Sequence, residues 1–284
     1  MHLKGKRTEL TQAQKMMVFV LSMSLYGLAT LFTELIPSVQ LGIVELSVEY
    51  FAFIPLTLAI LFDPLSAALG AATGEVIFSE IMLGQFGGVG EVEKFVLFSL
   101  GIYIAGMMVN DPLNKVQVAI ASFTGIFIHQ FLGGLVDISK VVFAVEDFEA
   151  VQGLPESVFF TEGFAILNDL LFSGILFCVL PTLFLVPRLY KKIEPLLGMR
   201  PRTPENRPSF GAVLNVKIIL MAIGFFLIAV TTEFMAETGI NFIDWEASWA
   251  ESPEAVFAGI VITLVLIVGI ILVIRKNKTI GVGE

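Results

Sequence analysis

The sequence predicts an all-α, polytopic membrane protein of the cell membrane. A six-helix core is followed by a two-helix C-terminal hairpin, with both termini expected in the cytoplasm. Three observations predict this class. The chain is 56% hydrophobic and only 15% charged, with a mean hydropathy of +0.87, outside the range of soluble domains. Its apolar residues gather into eight stretches, the longer of which can cross a hydrocarbon core of roughly 30 Å at about 1.5 Å of rise per residue. Threading those stretches back and forth leaves every one of the 17 Lys and Arg residues except Lys94 and Lys140 on one side, the bias that sets orientation in membranes.

Residues 1–15 form a polar, basic lead-in. The first span, Met16–Ile36, is too long for a signal-peptide core and lacks a small-residue cleavage site, so it is expected to be retained. Pro37–Glu49 follows as an outer loop. Tyr50–Phe62 and Phe95–Val109 are short and are expected to tilt or to extend into neighbouring loops. Phe62-Asp63-Pro64 makes a tight inner turn, with proline at the first position of the third helix, where its missing N–H costs nothing. That helix, Pro64–Leu83, carries Gly70 and Gly74 with Ala67 and Ala71 at the same four-residue spacing. Such a stripe is flat enough for close backbone approach and is expected to dock a partner.

Val116–Val136 and Glu162–Val186 complete a core over residues 1–196. Residues 197–215 hold Pro201, Pro204 and Pro208, which break regular helix, and are expected to be a cytoplasmic linker. Val216–Phe234 and Pro253–Ile274 then form the hairpin of residues 216–284, with Trp245 and Trp249 at the outer interface. The single cysteine, Cys178, lies inside a span, so no disulfide framework is expected. The net charge of -9 comes from acidic outer loops, and no basic footprint for nucleic acid is present.

Ionisable side chains at membrane depth are costly and usually face a cavity or the bundle interior. Here they cluster in the outer half. The first helix turns Ser22, Tyr26, Thr30 and Glu34 to one side, and the third contributes Glu75 and Glu80. The fifth carries His129 in register with Gly125, Gly133 and Asp137, and the sixth carries Glu162, Asp169 and Ser173 with Asn168 alongside. Glu34 and Glu162 are equally well explained by a position among lipid headgroups, and His129 by a hydrogen bond in the packing. Together the stripes imply a pocket open to the exterior. Several carboxylates, one imidazole and no embedded cation would suit a cationic or neutral solute, with Tyr26 and Tyr103 among the rings available to stack on it. Glu34, Glu75, Glu80, Tyr103, His129, Asn168 and Asp169 are the candidate binding residues. A lone imidazole with scattered carboxylates makes a poor transition-metal site, and no cofactor is called for.

The segment from Tyr50 to Leu83 resembles the second and third helices of the substrate-binding S components of energy-coupling factor (ECF) transporters. In that family a proline-bearing apolar helix ends in a phenylalanine-glycine-proline-like turn, followed by a small-residue helix with an acid near its outer half. Here the turn is Phe62-Asp63-Pro64, with Asp where Gly is usual, and the acid is Glu75 or Glu80. The resemblance extends over residues 16 to about 192. It implies capture of a vitamin-like solute at the outer face, with Pro37–Glu49 closing as a lid. It also implies docking on a membrane coupling subunit driven by two cytoplasmic ATPases. Two departures stand out: the first helix lacks an Ala-x-x-x-Ala docking stripe, and the last two helices exceed the six-helix core.

A stand-alone secondary transporter and an integral membrane enzyme using Glu75, His129 and Asp169 are the alternatives. The first should show related halves with matching broken helices, and none are visible. The second lacks H-E-x-x-H and G-x-S-x-G motifs, so no enzymatic activity is expected.

Overall fold

The computed structural model of the chain describes residues 10–41, 44–148, 151, 154–203, 213 and 215–239. The expected span Pro253–Ile274, Trp245 and Trp249, Pro204 and Pro208, and most of the basic lead-in lie outside the described residues. The chain divides into two compact units, Met1–Asp244 and Trp245–Glu284. All the described residues belong to the first.

This unit is mostly helical. Helix α1 (Gln12–Thr33) starts at a capping box, in which the Thr11 hydroxyl accepts from Gln14 N–H and the Gln14 side chain accepts from Thr11 N–H. A small antiparallel hairpin, β1 (Val39–Leu41) and β2 (Val44–Leu46), comes next. Helix α2 (Phe53–Leu61) then meets α3 (Pro64–Glu75) through a turn in which the Asp63 carboxylate accepts from Ser66 N–H at 2.9 Å, with Pro64 opening the helix. A π-helical segment, Val76–Ile81, continues α3. Gly84 and Gly88 take left-handed backbone conformations that turn the chain into α4 (Glu91–Met108). Asn114 caps α5 (Lys115–Val142). Helix α6 (Val158–Asp169), a second π segment (Leu170–Val179) and α7 (Leu180–Leu189) form one continuous rod. Asn215 caps α8 (Val216–Glu237).

Among the described residues, four helical rods are long and apolar enough to cross a membrane: Gln12–Thr33, Lys115–Val142, Val158–Leu189 and Val216–Glu237. Met16, Phe32, Val116, Phe184, Ile219 and Leu220 stand exposed on their outer faces. Apolar surface spread this widely suits a lipid environment and not water. The shorter elements serve differently. Helix α2 has nine residues, about 14 Å of rise, and cannot cross a bilayer alone. It is buried along nearly its whole length, at Leu56, Ala59 and Ile60 among others.

The glycine stripe has a different use from the one expected. A methyl added at Gly70 would lie 2.3 Å from the Phe19 carbonyl oxygen, and one at Gly74 would lie 2.2 Å from that of Met23. Ala67 and Ala71 are fully buried. The face expected to dock a partner is therefore occupied by the chain's own α1. Helices α4 and α5 cross as closely: a methyl at Gly101 would sit 2.3 Å from the Gly125 carbonyl oxygen.

The expected linker also proves to be packed where it is described. Met199 and Val213 are buried. Arg202 donates to the Ala59 carbonyl at 3.1 Å, satisfying the C-terminal end of α2, where the last carbonyls run out of helical N–H donors. The Tyr190 hydroxyl donates to the Arg202 carbonyl. Burial, reinforced by Asp111 and Glu194, pushes the Tyr190 hydroxyl above its ordinary pKa and keeps it a donor. Helix α8 belongs to the same unit as the core and packs on α4 and the Gly88–Gly90 turn.

Candidate functional site

The end of the bundle that carries the β-hairpin holds a cavity of about 340 Å³. This lies at the small-molecule end of the range of binding pockets, about 300–1,000 Å³. One wall is α6, whose Thr161, Ala165, Asn168 and Asp169 recur at helical spacing and therefore share a face. The other is the chain entering α2, which brings Gln40, Ser47 and Glu49. Leu154 and Phe164 add apolar surface. Among the described residues, no Lys or Arg lines it.

Residues 47–50, opposite α6, form neither helix nor strand, so their backbone groups need partners from elsewhere. The rod supplies them. The Ser173 hydroxyl donates to the Ser47 carbonyl at 2.8 Å and accepts from Glu49 N–H at 3.1 Å. The Cys178 thiol faces the Tyr50 carbonyl at 3.7 Å. Ser47 in turn donates its hydroxyl to the Glu49 carboxylate. Two pocket side chains thus hang from a stretch that is fastened to the second π segment. From α5, Gln130 donates to the Asp169 carboxylate at 3.2 Å.

Behind the cavity a row of rings crosses the bundle. Tyr50 meets His129 edge-on at 6.2 Å, His129 meets Phe98 edge-on at 5.3 Å, and Phe98 stacks on Tyr26 at 5.0 Å. The Tyr26 hydroxyl and His129 Nδ1 are buried with no hydrogen-bond partner among the described residues. Tyr26, at the other end of the row, lies within electrostatic reach of Glu75.

Glu80, in the π segment that continues α3, has a cation beside it. Lys94 lies 3.2 Å from Glu80 and 3.6 Å from Glu91, with Glu80 only 8% exposed. The reason is where α4 begins. It starts at Glu91, four residues before the expected Phe95, so Lys94 sits in its first turn facing the bundle instead of in a loop. Lys140 similarly gathers Asp137 at 3.0 Å, Glu146 at 3.1 Å and Glu233 of α8 at 3.8 Å.

The expected binding residues therefore separate. Asn168 and Asp169 line the cavity. His129 stands one ring behind it, and Glu75 does not line it. Glu80 is engaged by Lys94. Glu34 is exposed just past the end of α1, and Tyr103 is half-buried among core residues of α4, neither of them at the cavity. Sequence reasoning missed Gln40, Ser47 and Thr161, and saw Glu49 only as the end of a lid. The one available signal was a polar residue directly before the apolar run that opens at Tyr50. Among the described residues, no group of three or more His, Cys, Asp and Glu side chains could hold a metal ion.

Fold and site together define a helical protein with apolar rods compatible with membrane insertion and a solute-sized polar cavity at one end. The chain belongs to the DUF8171 family, a family of unknown function, which it matches over residues 17–281. No curated protein and no solved structure matches it.

Proposed function

We propose that the chain is a membrane-embedded solute-capture subunit of an ECF-type importer. Its cavity would take a small cationic or neutral, vitamin-like solute from outside the cell. The observation that carries this reading is the cavity beneath the hairpin. Glu49 and Asp169 supply negative charge there, Asn168, Gln40 and Thr161 supply hydrogen-bonding groups, and no described cation in the lining opposes them. The hairpin of residues 39–46 lies within the stretch Pro37–Glu49 that the resemblance assigns to a lid, which supports access from that end. With Lys and Arg concentrated at the opposite end, the hairpin end would face the exterior and the N-terminus the cytoplasm. In this reading the chain performs no chemistry, and energy comes from a coupling subunit and two ATPases.

Two experiments test the proposal at separate points. Gentle purification and then mass spectrometry should recover a bound organic solute, and its affinity should fall about tenfold, or about 1.4 kcal/mol, in Asp169→Asn and in Glu49→Gln. Unchanged affinity in both variants would remove the cavity from function. Affinity purification from native membranes should bring down a coupling subunit and ATPases. A chain that transports its solute alone in proteoliposomes would instead establish the stand-alone transporter.

A further inference from the structure

At the end of the bundle opposite the hairpin, one face of α7 and the first residue of α5 line an open groove of about 580 Å³. Its walls are Leu180, Leu183, Phe184 and Pro187, and its mouth carries Lys115 and Arg188. Arg188 is already placed: its guanidinium lies 3.3 Å from the centre of the Phe184 ring and donates to the Phe184 carbonyl at 3.3 Å. Both cations are exposed, and neither makes an ion pair among the described residues. No described carboxylate lines the groove.

The position of the two charges decides the ligand. Lys115 is the first residue of one candidate span, and Arg188 is the penultimate residue of another. In a bilayer both would lie at the depth of the phosphate groups. The apolar walls run from Leu180 to Pro187, seven residues or about 10 Å of helix, toward the acyl region. A guanidinium and an ammonium above an apolar helix face match a phosphodiester with its chains beneath it, and cations at this level attract anionic lipid heads. We propose that the groove is a site for one anionic phospholipid. The inference rests on the membrane-spanning part of the reading above and is independent of solute capture.

The test uses the full chain in nanodiscs of mixed phosphatidylglycerol and phosphatidylcholine, released and weighed by native mass spectrometry. The expected result is a retained phosphatidylglycerol favoured roughly tenfold over phosphatidylcholine, since two cations face one phosphate. The preference should vanish in Lys115→Gln/Arg188→Gln, persist in Lys115→Arg/Arg188→Lys, and persist in the control Lys191→Gln/Lys192→Gln. Equal retention of both lipids, or undiminished preference in the glutamine pair, would overturn the site. Full displacement of the lipid by millimolar inorganic phosphate would show a free-phosphate site and overturn it as well. A chain that stays out of the membrane fraction would sink the membrane reading and this inference with it. A membrane-inserted chain without lipid preference would sink this inference alone. Solute affinity should be unchanged in the glutamine pair.

Discussion

At the scale of single residues, Lys94 and Ser173 do the most with the fewest atoms. Lys94 is half-exposed while Glu80 is buried, so Lys94→Gln strands a carboxylate that cannot easily reach water. A loss of about 1–2 kcal/mol is expected, discounted from the full cost of a broken buried pair because the lysine is solvated. Adding Glu80→Gln should restore most of it, and thermal melts of the double-mutant cycle measure the coupling. Ser173→Ala leaves the Ser47 carbonyl and Glu49 N–H without their partner, at a cost of about 1 kcal/mol for part-buried groups, and should loosen solute binding by displacing Glu49. Gly74→Ala should lower the melting temperature by forcing α1 and α3 apart. Gly163→Ala, with nothing within 4 Å of the added carbon, should not. Asp169 and Asn168 could be found in the sequence because an acid and an amide inside a long apolar run stand out. Ser47 and Glu49 could not, because their position depends on which helix the preceding strand lies against.

At the scale of elements, both π segments begin immediately after an acid that the sequence singles out, Glu75 and Asp169. A π turn holds one more residue than an α turn, so it re-aims the helix before it relative to the helix after it, and such turns concentrate at functional positions. Removing Ile175 should return the segment to α-helix and shift the Ser173 hydroxyl relative to the Ser47 carbonyl and Glu49 N–H that it holds. Circular dichroism should then be unchanged while solute affinity drops at least about tenfold. Helix positions and the Phe62-Asp63-Pro64 turn could be read from apolar run length and proline placement. The hairpin could not: its strands are three residues long, too short to show alternation. Nor did spacing say what fills a small-residue stripe. Gly70 and Gly74 specify a flat surface, and only the tertiary arrangement shows that α1 covers it.

At the scale of the whole molecule, the charge asymmetry that would orient the chain also segregates its two candidate sites. The cavity with two carboxylates is at one end, and the groove with two cations is at the other. The stretch Ser47–Tyr50 carries a consequence for biogenesis. Its backbone is satisfied by Ser173 and Cys178, residues synthesised more than 120 positions later. Before that rod exists those groups must turn to water instead, so the earlier stretch can settle only once the α6–α7 rod has been made. Nascent chains arrested at Gly163 should stay open to protease between residues 37 and 52, and chains extended past residue 203 should be protected there. The order in which this protein leaves the translocon is thus written into two side chains of a helix made long after the segment they hold.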